Sequence, residues 1–95
     1  MKPADPATMG TVTIPPEVMA RQVGDETVIL DLTSGRYFGL DPIGTRIWHL
    51  MVEGKALPEI CDAIAAEYDV TRAEAERDLQ QLLFDLKTEG LIQVT

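Results

Sequence analysis

At 95 residues the sequence fits one small domain, and 45% hydrophobic with 25% charged residues argues against a wholly disordered chain. Eight basic residues against 16 acidic ones leave a net charge of −8, a field that opposes binding to phosphate backbones and anionic membranes. One cysteine and one histidine exclude an internal disulfide framework and a Cys/His zinc site within one chain. No apolar run approaches the roughly 18 residues that span a bilayer, and the N-terminus has no signal-peptide core. A soluble, cytoplasmic domain is predicted.

Residues 1–16 hold four of the six prolines and few apolar side chains. They read as a mobile arm, in which Val12 and Ile14 remain available for local pairing. The folded domain is predicted over 17–95. Its first strand is 17–23, followed by a turn at Gly24-Asp25-Glu26 and a second strand over 26–32. In that strand Val28, Leu30 and Leu32 point one way, and Thr27, Ile29 and Asp31 the other. Thr33-Ser34-Gly35 reads as a hairpin loop with glycine free to take a positive φ, and 35–40 returns as a third strand.

Helices follow. Asp41-Pro42 is an N-cap with proline in the first turn, ahead of a stripe of Ile43, Ile47, Leu50 and Met51 that ends at Gly54. Pro58 opens a second helix over 58–67, carrying Ile60, Ile64 and Ala65. Thr71-Arg72-Ala73-Glu74 is a capping box, so a third helix is predicted over 72–89 with Ala75, Leu79, Leu82, Leu83 and Leu86 as its stripe. Gly90 stops it, and 91–94 form an extended tail. The predicted fold class is α+β: a three-stranded antiparallel sheet followed by three helices, resembling a winged helix-turn-helix.

No convergent set of catalytic groups is present. Cys61 lies on an apolar helical stripe and reads as a small buried residue. His49 falls off the stripe of its helix and reads as a surface histidine. Pairs such as Glu74 and Asp78 read as a solvated face, and Ser34, the one serine, sits in a turn. No catalytic residue, metal ligand or cofactor is predicted. DNA recognition by the helix-turn-helix is the alternative function, but helix 72–89 carries five acids against three bases, which repels a groove.

Peptide capture fits better. The strand RYFGL (36–40) is one edge of the three-stranded meander and carries no lysine, proline or obvious bulge. Such an edge can be completed by an extended peptide. Four or five backbone hydrogen bonds contribute roughly 2–7 kcal/mol net, whereas association costs on the order of 4–15 kcal/mol. Side-chain pockets must therefore supply the rest. On helix 72–89, Leu79, Leu82 and Leu86 centre the buried stripe, while Asp78 and Asp85 flank it beside Leu82 as a grip for a basic peptide residue. Phe84 falls nearly opposite, on an exposed face. A homodimer through the open strand edge is the third reading.

The ordered set VILDLTSGRYFGLDPIGTRIWHLM (28–51), EICDAIAAEYDV (59–70) and DLQQLLFDLKTEGLI (78–92) resembles the PqqD-like family. These are small peptide-recognition domains of ribosomal-peptide biosynthesis. The resemblance implies a non-catalytic chaperone that binds the leader segment of a precursor peptide and presents it to a modifying enzyme. That enzyme is a radical SAM enzyme in pyrroloquinoline quinone assembly, or a leader protease in lasso-peptide clusters. The Ser-Gly-Arg-Tyr-Phe-Gly-Leu stretch is nearer the second. It also implies a leader strand beside Arg36, Tyr37, Phe38, Gly39 and Leu40, facing Asp78, Gln81, Leu82 and Asp85.

Overall fold

The computed structural model describes residues 12–94. Eight elements follow in chain order: β1 (Val12–Thr13), β2 (Val18–Val23), β3 (Glu26–Asp31), β4 (Tyr37–Leu40), α1 (Pro42–Val52), α2 (Leu57–Glu67), α3 (Arg72–Thr88) and β5 (Gln93–Val94). Strands β2, β3 and β4 form an antiparallel sheet in that order, so β4 is an edge. Val12 and Thr13 pair with Val94 and Gln93 in a separate two-stranded sheet. The pairing open to Val12 is therefore made, and its partner is the extended tail. The mobility predicted for the N-terminal arm falls, for residues 1–11, outside the described residues.

The turns follow local chemistry. Asp31 Oδ1 accepts the Thr33 N–H at 2.9 Å, the Gly35 N–H donates to the Asp31 carbonyl at 2.8 Å, and Gly35 takes φ 76°. The Thr33 hydrogen bond holds the Asp31 carboxyl below its ordinary pKa. A depressed folded value stabilises above the ordinary carboxylate range and loses that contribution as pH falls through the folded value. Acid is thus expected to loosen this hairpin, and Asp31→Asn to flatten the acid limb of a stability-versus-pH curve.

Helices α1 and α3 begin as their capping residues dictate. Asp41 accepts the Gly44 N–H at 2.7 Å. Thr71 and Glu74 complete their reciprocal box at 3.1 and 3.3 Å. Helix α2 begins at Leu57, with Pro58 in its first turn. Two ion pairs tie the helices together: a two-pronged Arg46–Glu67 contact joins α1 to α2, and Arg72–Asp62, at 2.7 Å, joins α3 to α2.

The core draws on every layer, with Ile29, Leu40, Ile47, Trp48, Ile60, Ile64, Leu79 and Leu86 among its buried members. Packing decides which faces of β3, α3 and α1 are buried. In β3 it is Thr27 and Ile29 that face the helices, while Val28 and Leu30, and Leu32 just past the strand's end, are exposed. In α3 the buried stripe is Ala75, Leu79, Leu83 and Leu86; Leu82 is only half-buried, because that side of the helix faces a gap rather than a neighbouring element. Helix α1 is buried over a broader arc than its stripe, taking in Gly44, Thr45 and Trp48, because it packs against both the sheet and α2. His49, predicted at the surface, is half-buried on that helix.

The Thr27 hydroxyl is buried with no protein group within hydrogen-bonding reach among the described residues. An unsatisfied buried hydroxyl is costly, and valine has nearly the same shape. Thr27→Val is expected to raise stability by about 1 kcal/mol, a gain of several degrees in a thermal melt. A lower Tm would show that the hydroxyl is in fact satisfied.

Candidate functional site

The register of β4 determines which of its backbone groups are free. Leu30 pairs with Tyr37, Ile29 with Phe38, Val28 with Gly39 and Thr27 with Leu40. The Asp31 N–H donates to the Arg36 carbonyl at 2.9 Å, marking that pair as hydrogen-bonded. Alternation along an antiparallel ladder then makes Phe38 and Leu40 the residues bonded to β3. Tyr37 and Gly39 turn their N–H and C=O groups toward the open edge.

Beside that edge lies a groove of about 420 Å³, between β4, the start of α1 and one face of α3. Phe38, Gly39 and Leu40 line it from the strand, and Asp78, Gln81, Leu82 and Asp85 from α3. Seven of the nine residues singled out in the sequence are thereby brought together. Period-2 alternation explains why Phe38 and Leu40 face the helices, and 3.6-residue periodicity why Asp78, Leu82 and Asp85 share one side of α3.

Two of the nine stand apart. Arg36 ion-pairs with Glu89 at 2.7 Å, tying the approach to β4 to the cap of α3 rather than lining the groove. The Tyr37 side chain projects to the outer face of the sheet and is 77% exposed; only its backbone serves the open edge. Because the Arg36–Glu89 pair is solvated, Arg36→Ala is expected to cost no more than about 1 kcal/mol of stability in a denaturant titration. A larger loss would show that the pair sets the spacing of β4 and α3.

The third wall was not read from the sequence. The N-cap Asp41 and Ile43, Gly44 and Ile47 of α1 complete the groove. Ile43 and Ile47 belong to the apolar stripe of α1, and Ile47 also forms the groove's floor. Gly44 sits where α1 starts against the end of β4; a Cβ there would lie 3.2 Å from Asp41 Oδ1 and 3.3 Å from Leu40 Cβ. The Gly44 in the sequence was the available signal, since glycine early in a helix costs stability unless close approach requires it.

Electrostatically the groove is one-sided. Asp41, Asp78 and Asp85 line it, and among the described residues no lysine or arginine does. Asp85 accepts a hydrogen bond from Gln81 Nε2 at 3.0 Å. Elsewhere, a hollow of about 500 Å³ lies between β2 and the end of α1, lined by Ile14, Val18, Ala20, Gln22, Thr27, Trp48, His49, Val52 and Glu53. Among the described residues no cluster of His, Cys, Asp and Glu could hold a metal ion. Cys61 is buried, and burial pushes its thiol pKa up, which disfavours the nucleophilic thiolate. No helix among the described residues is long and apolar enough to cross a membrane.

Residues 26–92 match the family described as coenzyme PQQ synthesis protein D (PqqD). The chain belongs to the PqqD family. Two solved structures are similar. "TbiB1 in Complex with the TbiA(beta) Leader Peptide" is 48% identical, with a TM-score of 0.80 over 84% of this chain and 93% of that one. "Lasso peptide synthetase B1 complexed with the leader peptide" is 29% identical, with a TM-score of 0.82 over 87% of this chain and 98% of that one. No curated protein matches the chain significantly. The PqqD match begins at the first residue of β3 and so takes in the open strand and all three walls of the groove.

Proposed function

We propose that this PqqD-family chain is a non-catalytic recognition protein that captures the leader segment of a ribosomal precursor peptide. The leader joins the sheet as a strand along β4, and its inward side chains enter the groove against α1 and α3. Phe38, Gly39, Leu40, Asp78, Gln81, Leu82 and Asp85 contact it through side chain or backbone; Tyr37 contributes its backbone edge, and Arg36 holds the entrance. The observation that carries this reading is an unpaired strand edge lying directly beside an apolar-floored groove. The leader-bound state of both similar structures supports it.

The similarity to the lasso peptide synthetase B1 supports lasso-type biosynthesis over pyrroloquinoline quinone assembly. The bound precursor is then handed to a separate leader protease, in the cytoplasm and without a cofactor. The acidic groove and acidic α3 leave nucleic acid without a matching surface.

Fluorescence-polarisation titration against leader peptides encoded beside this gene tests the reading. Saturable binding at micromolar concentration or below is expected. Failure of every neighbouring leader to bind, together with a DNA-binding signal, would overturn it. So would a stable dimer in sedimentation that Tyr37→Pro dissolves, because the edge would then serve self-pairing.

A further inference from the structure

Resting on that reading, we propose that the groove selects a leader carrying a lysine or arginine two positions from an apolar anchor, with the basic residue held by Asp78 and Asp85. The edge strand recognises backbone and is indifferent to sequence, so any side-chain preference must come from the walls. The floor is apolar, formed by Ile43, Ile47 and Leu82. The charged side chains at the rim are acidic, and Arg36, the cation at the approach to β4, is already engaged by Glu89. Among the described residues, no ion pair neutralises Asp41, Asp78 or Asp85. Asp41 is committed to capping α1, which leaves the two carboxylates of α3 to face the incoming strand.

Spacing sets the motif. Asp78 and Asp85 lie seven residues apart, about 10 Å along the helix axis, with Leu82 between them. Inward-facing residues of an extended strand recur about every 6.7 Å. If the incoming strand runs along α3, an apolar side chain meeting Leu82 places its neighbours at ±2 within reach of the carboxylates through a flexible lysine or arginine stem. Glutamate or aspartate at those positions would meet like charge without a counter-ion.

Phage-displayed random 12-residue peptides selected on the full chain, with Tyr37→Pro used to discard binders that ignore the edge, provide the test. Edge-dependent peptides are expected to be enriched in Lys or Arg two positions from an apolar residue. Repeating the selection on Asp78→Asn/Asp85→Asn should erase the basic preference and keep the apolar one. The carboxamides preserve the helix surface and the acceptor for Gln81, and a circular-dichroism melt verifies folding. For one selected peptide, replacing its basic residue with Gln should weaken binding about two- to fivefold and reduce its salt dependence. Edge-dependent peptides without basic enrichment, or with enrichment unchanged in the Asn variant, would overturn this inference while leaving leader capture intact. A library yielding no edge-dependent peptide at all would overturn both.

Discussion

Tyr37→Pro is expected to raise the Kd for a leader peptide at least tenfold while the domain stays folded. The reason lies in the register. The Tyr37 N–H faces the open edge, so proline removes no bond to β3 but deletes a donor to the incoming strand. Its ring also occupies space that the partner's carbonyl would enter, disturbing the adjacent hydrogen bond. One lost bond contributes about 0.5–1.5 kcal/mol, and the displaced neighbour carries the total past the 1.4 kcal/mol that a tenfold change requires. Edge strands tolerate proline where the N–H is not used within the sheet, so the melting temperature should fall only modestly. Phe38→Pro is the contrasting variant: it breaks the β3–β4 ladder and should unfold the edge. Titration and melts of both variants separate the cases, and unchanged affinity in Tyr37→Pro would place the peptide elsewhere.

Leu79→Ala is expected to cost far more stability than a substitution on the exposed or groove-facing sides of α3. Leu79 is 1% exposed, and the cavity left by a buried leucine costs about 2–5 kcal/mol. A domain of this size has a net stability near the low end of 5–15 kcal/mol, so the variant should melt about 10 °C or more lower and populate the unfolded state readily. Two neighbours on the same helix calibrate the result. Phe84 is 65% exposed, and Phe84→Ser should change stability by no more than about 0.5 kcal/mol. Half-buried Leu82 faces the groove, so Leu82→Ala should weaken peptide binding more than it weakens the fold. If Leu79→Ala and Leu82→Ala destabilised equally, the separation of core stripe from groove wall would be wrong.

That separation is where sequence reasoning stopped short. Angular periodicity correctly placed Leu79, Leu82, Leu83 and Leu86 on one broad side of α3. It put Leu82 at the centre and left Leu83 less prominent, whereas the packed helix buries Leu83 and turns Leu82 toward the groove. Helical phase fixes only relative angles; the direction of the core is set by where α2 and the sheet stand. The same limit applied to β3, whose two faces were plain from alternation. Its more apolar face, with Val28 and Leu30, turned out to be the exposed one, because α1 packs on the side of Ile29. Trp48 lies outside the narrow stripe of Ile43, Ile47, Leu50 and Met51, yet it is buried because α1 has two neighbours.

What the sequence determined by itself was everything that neighbours within about four residues can decide. Asp41, Thr71 and Glu74 started helices, Gly35 and Gly54 ended or turned elements with positive φ, and the order of strands and helices followed. The open edge also followed, since three strands joined by short turns must leave the third unpaired on one side. Tertiary structure alone decided which faces met. The groove draws its walls from residues 38–47 and 78–85, segments separated by the whole of α2. Ile47 becomes its floor, and Asp78 and Asp85 its rim, only when α2 carries the chain back so that α3 stands opposite the strand. Local chemistry builds the elements, and burial between distant segments decides which of their side chains become core and which become site.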